Sequence, residues 1–74
     1  MMHTYSVGDE VSWDTDAGRV RGRIIHVHRT DYEWKGYRRK ASHDAPQYEI
    51  RSNASGRVVV HPGSTLRLLS EQSH

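Results

Sequence analysis

The chain has 74 residues with no cysteine and no phenylalanine, 34% of them hydrophobic, and a formal net charge of +2. Such a length supports one domain, expected to span residues 1–74 with a core over about 7–69 and flexible ends. A chain of this size buries roughly 60% of the surface its unfolded form exposes, so the core must be thin. The missing thiols exclude a disulfide framework and a thiolate zinc site, and no window approaches the roughly 20 apolar residues that span a bilayer.

The amino terminus, Met1-Met2-His3-Thr4-Tyr5, has no basic segment leading into an apolar run. The expectation is therefore a soluble, cytoplasmic protein without a membrane partner. Glu10 to Asp14 reads as a short strand entered through a Gly8-Asp9 turn, with Val11 and Trp13 sharing one face. After the loop Asp14-Thr15-Asp16-Ala17-Gly18, the next strand opens with Arg19-Val20-Arg21-Gly22-Arg23-Ile24. Alternation there sends Val20 and Ile24 inward and the three arginines outward. Beyond Ile24 the phase slips, because Ile25 and Val27 take the positions the arginines held. A slip of this kind implies a bulge or bend, with Gly22 as the tolerant position nearby.

Residues 29–45 hold aromatics among charges and almost no aliphatic side chain, which predicts a long loop or a hairpin turning about Gly36. Gln47 to Arg51 forms a strand with Tyr48 and Ile50 inward. The turn Asn53-Ala54-Ser55-Gly56 then leads into Val58-Val59-Val60. A four-residue loop with Gly56 in the left-handed conformation pairs Ile50 with Val59 and Tyr48 with His61. A three-residue loop would pair Ile50 with Val58 instead, and the first register is favoured. His61-Pro62-Gly63-Ser64 should break the strand through one helical turn before a short last strand over Thr65 to Leu69, and residues 70–74 should fray. Five short antiparallel strands, one long excursion and no amphipathic helix predict an all-β, SH3-like barrel. Val11, Trp13, Val20, Ile24, Tyr48, Ile50 and Leu66 would form its core.

The ordered pattern Gly8-Asp9-x-Val11-x-Trp13, Gly18-x-Val20-x-Gly22, Ala41-Ser42-x-Asp44-x-Pro46-Gln47-Tyr48-x-Ile50, Ser52-x-x-x-Gly56 and His61 resembles the hypervirulence-associated Tudor-like family of bacteria and fungi. The resemblance runs from about Val7 to Leu69. It implies a Tudor or SH3-like barrel and transfers no catalytic residue.

Of the six aromatic side chains, Trp13 and Tyr48 read as core, together with Ile50, the turn glycine Gly56 and an inward-facing His61 held by a hydrogen bond to loop backbone. Tyr32, Trp34 and Tyr37 fall in the excursion, where they either line a groove or staple the loop to the barrel. Lys35, Arg38, Arg39 and Lys40 interleave with them. That mixture suits a protein or peptide ligand, or a nucleic acid whose phosphates meet the cations while a base stacks on a ring. His26 and His28 share a strand face but supply a metal with only two ligands and no zinc-like spacing, so neither metal nor cofactor is expected. Ser42, His43 and Asp44 are adjacent on an extended chain and diverge, which rules them out as a hydrogen-bonded relay. They read as a turn before Pro46, and Asn53-Ala54-Ser55 reads as a turn as well. The sequence thus predicts a non-catalytic binding module, monomeric or weakly self-associating, whose ligand is a protein or peptide; the alternative is a weak, salt-dependent nucleic-acid-binding domain that uses the 29–45 loop.

Overall fold

In the computed structural model, described over residues 4–69, seven strands follow one another along the chain. They are β1 (Glu10–Thr15), β2 (Gly18–His28), β3 (Tyr32–Trp34), β4 (Tyr37–Arg39), β5 (Gln47–Ser52), β6 (Val58–Pro62) and β7 (Arg67–Leu68). One 3-10 turn, Gly63–Thr65, separates β6 from β7. Five strands form an antiparallel sheet in the order β6-β5-β2-β1-β7, and β3 and β4 form a separate two-stranded sheet. The result is the small barrel-like, all-β architecture expected of the sequence. Among the described residues no helix is long and apolar enough to cross a membrane.

Alternation assigns the core. Tyr5, Val11, Trp13, Ile24, Tyr48, Ile50 and Leu66 are buried in one cluster, with Val20, Val27 and Val59 packed against it. Six of these seven buried residues are those predicted; Tyr5 is the addition. Its ring meets Tyr48 edge to face with centroids 5.4 Å apart. Its N–H donates to the Tyr48 hydroxyl at 3.1 Å, and its own hydroxyl donates to the Leu66 carbonyl at 3.1 Å. A tyrosine outside any strand thereby closes one end of the core by satisfying its polar tip on backbone.

Gly22 stands opposite Val11 and Ser52 in the middle of the sheet. A Cβ there would lie 2.6 Å from the Arg51 carbonyl oxygen and 2.7 Å from Ile50 Cγ2. The glycine therefore permits close approach of β5. The bulge falls further along β2, where the register shifts between Ile24 and His26. That correction explains the phase slip. One extra residue, Ile25, returns Val27 to the core side opposite Tyr48 and turns His26 and His28 to the other face.

At the far hairpin Ile50 pairs with Val59 and Tyr48 with His61, the register of a four-residue loop. Gly56 has φ +75° and donates its N–H to the Ser52 carbonyl at 2.9 Å. The last strand is shorter than expected because the 3-10 turn extends through Thr65, leaving Leu66 buried just before β7.

Candidate functional site

The 29–45 excursion folds as a tight hairpin. Lys35 and Gly36 make its turn, with φ of +52° and +85°, the paired positive values that match the twist of the flanking strands. The register pairs Tyr32 with Arg39, Glu33 with Arg38 and Trp34 with Tyr37. Because directly opposed residues share a face and alternate residues return to it, Tyr32, Trp34, Tyr37 and Arg39 stand on one side, with Glu33 and Arg38 on the other.

The first ring of that face anchors the hairpin. Tyr32 stacks on His28 of β2 with centroids 3.7 Å apart and planes 6° from parallel, and His26 lies against His28 at 4.4 Å. The His28 Nε2 atom meets a carboxylate oxygen of Glu49, so β5 orients the imidazole on which Tyr32 rests. Both side chains of this pair are largely buried. The Tyr32 hydroxyl is buried and has no hydrogen-bond partner among the described residues.

The remaining two rings are more open, Tyr37 being exposed and Trp34 partly so. Trp34 is half-buried, with Lys35 Nζ 5.7 Å from its ring centroid, a distance at which the ammonium is attracted by the π face. Tyr37 is 72% exposed. Arg38, Arg39 and Lys40 are exposed and form no ion pair among the described residues. At the base of the hairpin, Lys40, Asp31, Ala41, Ser42, Ala45 and Gln47 line an open groove of about 420 Å³. Its rim is organised by the Ala41 N–H donating to Asp31 at 3.3 Å and the Ala45 N–H donating to Ser42 Oγ at 3.0 Å.

The seven candidate residues are therefore dispersed within one small element. Tyr32, Trp34, Tyr37 and Arg39 share a face; Lys35 sits at the tip, Arg38 on the reverse and Lys40 at the groove. Tyr32 spends one ring face on His28. The groove and the His28–Glu49 support were not apparent from sequence. The signal for His28 was present only in the alternation of β2, and reading it required the position of the bulge.

Other sequence candidates resolve into structural roles. His61 is half-buried with its ring 5.4 Å from that of Trp13, and burial pushes its pKa below the ordinary 6.5. The backbone hydrogen bond expected for it is not made among the described residues; the ring contact with Trp13 is what the structure shows there. His26 and His28 are committed to the ring stack. Among the described residues no three histidine, aspartate or glutamate side chains are grouped to hold a metal ion. Ser42 caps the turn before Pro46, while Asp44 makes no side-chain hydrogen bond there among the described residues.

Neither a curated protein nor a solved structure matches the chain. The family described as hypervirulence associated proteins TUDOR domain matches over residues 8–66, a span that covers β1, β2, β5 and β6 of the five-stranded sheet, ends just before β7 and contains the whole β3–β4 hairpin. The chain belongs to that hypervirulence-associated Tudor domain family.

Proposed function

We propose that this chain is a non-catalytic binding module that takes a protein or peptide on the β3–β4 hairpin, with Tyr32, Trp34 and Tyr37 as the apolar contacts and Lys35, Arg38, Arg39 and Lys40 as the polar ones. A Tudor-like domain is in general a binding module, which supports the class of activity. The observation that carries the choice of surface is the hairpin face itself. It holds a half-buried tryptophan beside a tyrosine that is 72% exposed, on an element paired to no other strand among the described residues. Aromatic side chains bring large contact area at small entropic cost, and tryptophan and tyrosine dominate binding energies where they anchor. The cations around them favour a ligand with acidic residues.

Selection from a random peptide library, followed by calorimetric titration of the enriched peptides, tests this reading. Trp34→Ala should weaken binding by 2 kcal/mol or more, on the order of thirtyfold. Joint neutralisation of Arg38, Arg39 and Lys40 should cost less. The consecutive exposed cations Arg38-Arg39-Lys40 favour a second reading, single-stranded nucleic acid. In that case the triple neutralisation reduces the slope of log affinity against log salt by about 0.7 for each lost phosphate contact, and Trp34→Ala has the smaller effect. Binding unaffected by either change rejects the hairpin as the ligand surface.

A further inference from the structure

On the opposite side of β1 from Val11 and Trp13, the sheet carries a row of charge. Arg23 pairs across the strands with Glu10 and Arg19 with Asp14, and each couple forms an ion pair, at 3.0 and 3.1 Å. Between them stands a third row without an anion. Arg21 of β2 is opposite Ser12 of β1, and Ser12 is opposite Arg67 of β7. Directly opposed residues of antiparallel strands share a face, so two arginines flank one serine from either side. Both arginines are exposed and form no ion pair among the described residues. Ser12 is only 1% exposed, and its hydroxyl is buried without a hydrogen-bond partner among the described residues.

An orphaned hydroxyl flanked by two arginines without ion-pair partners among the described residues is costly unless something completes it. A buried hydroxyl without a partner forfeits its hydrogen bond to water, and two neighbouring cations repel. One group removes both penalties, an oxyanion that accepts from the hydroxyl and from both planar forks at once. We infer that Arg21, Ser12 and Arg67 form a receptor for a phosphate monoester carried by a phosphorylated peptide, a site separate from the hairpin and independent of what the hairpin binds.

The choice of anion follows from the charge pattern. A phosphate monoester carries close to two negative charges at neutral pH, matching two arginines that flank one position. A nucleic-acid backbone presents a succession of single charges and needs a succession of free cations. Here the cations next along β2, Arg19 and Arg23, are already neutralised by Asp14 and Glu10, so the row offers one doubly charged spot rather than a track. The choice of carrier follows from shape. The row lies across the face of a sheet, where a small phosphorylated metabolite would remain largely in solvent, unlike the concave sites that hold such ligands. A peptide lying along the strands adds contacts on both sides of its phosphate. Ser12 is 1% exposed, and the rotamer freedom of the long Arg21 and Arg67 side chains lets them swing aside for the anion to reach its hydroxyl.

The test uses the full chain, isotopically labelled, in amide NMR titrations with O-phosphoserine and with a degenerate peptide pool carrying a central phosphoserine. The pool with unmodified serine and a twelve-nucleotide oligothymidine are the comparison arms. Shifts should concentrate at Ser12, Arg21 and Arg67, and the phosphorylated pool should bind at least tenfold more tightly than the unmodified one. Arg21→Gln and Arg67→Gln should each weaken that binding about tenfold, the size of one charge-assisted hydrogen-bonding partner, while Arg57→Gln leaves it unchanged. Ser12→Ala should weaken it by a smaller factor, with the amide spectrum elsewhere retained. Equal binding of the two pools, shifts confined to the hairpin, or indifference to both arginine changes overturns the proposal. Tighter binding of oligothymidine than of the phosphorylated pool also overturns it and makes this face a nucleic-acid surface.

Discussion

At Gly22 the constraint is the neighbouring chain. Its missing Cβ would fall 2.6 Å from a carbonyl oxygen of Arg51 and 2.7 Å from Ile50 Cγ2, and the carbonyl is fixed in the β2–β5 ladder. Alanine is the better strand residue in isolation and restricts the unfolded chain, yet here the added methyl must push β5 off β2. Gly22→Ala is expected to destabilise by about 1–3 kcal/mol, the range for overpacking a closely fitted site. Ile50→Ala, which removes bulk from the same contact and leaves a cavity at a residue with no exposed surface, should cost about 2–5 kcal/mol. Urea unfolding of both variants checks the pair. A Gly22→Ala variant as stable as the parent would mean that the strands have room to separate. The sequence marked Gly22 as special but for the wrong reason. A glycine inside a strand signals either a bulge or a close approach, and only the position of the neighbouring strand separates the two.

The β3–β4 hairpin shows what an element of a few residues demands of its turn. Lys35 holds φ +52°, a conformation in which its Cβ is crowded and which asparagine tolerates better. Asparagine followed by glycine is the preferred pair at this kind of two-residue turn. Lys35→Asn should therefore slow amide hydrogen exchange in β3 and β4 and leave the midpoint of global unfolding nearly unchanged, since the hairpin is a separate sheet tied to the main one through the Tyr32–His28 stack. Faster exchange in the variant would show that the Lys35 contact with Trp34 outweighs its backbone strain. The composition of this element was legible in the sequence and so was its turn at Gly36, but the shared face of Tyr32, Trp34, Tyr37 and Arg39 was not. That face depends on the turn having two residues, and the aromatic and charged run contains no alternation strong enough to count them. The His28 support was hidden for a related reason: one bulged residue at Ile25 inverts every side chain after it.

Over the whole molecule, the strands of the main sheet and most of the core were readable because alternation and glycine turns agreed on one small barrel-like fold. Tyr5 escaped because it lies outside any periodic segment and is held by two hydrogen bonds whose partners are distant in sequence. With so thin a core, the same molecule must respond globally to a half-buried group that takes up a proton, and His61 is one such group. Burial against Trp13 lowers its pKa in the folded chain below the ordinary 6.5, so in the window below that value the unfolded chain binds more protons than the folded one. Stability then rises with pH. The contribution of neutral His61 is complete above about pH 6.5 and is lost as the pH falls from there through its lowered folded value. His61→Phe retains a ring beside Trp13 but cannot be protonated. Between pH 8 and pH 5 the unfolding free energy of the parent chain should fall further than that of His61→Phe, the other ionisable groups being common to both. Parallel decline of the two proteins would show that His61 takes up its proton as readily in the fold as outside it, and that the ring contact with Trp13 does not exclude water from the imidazole.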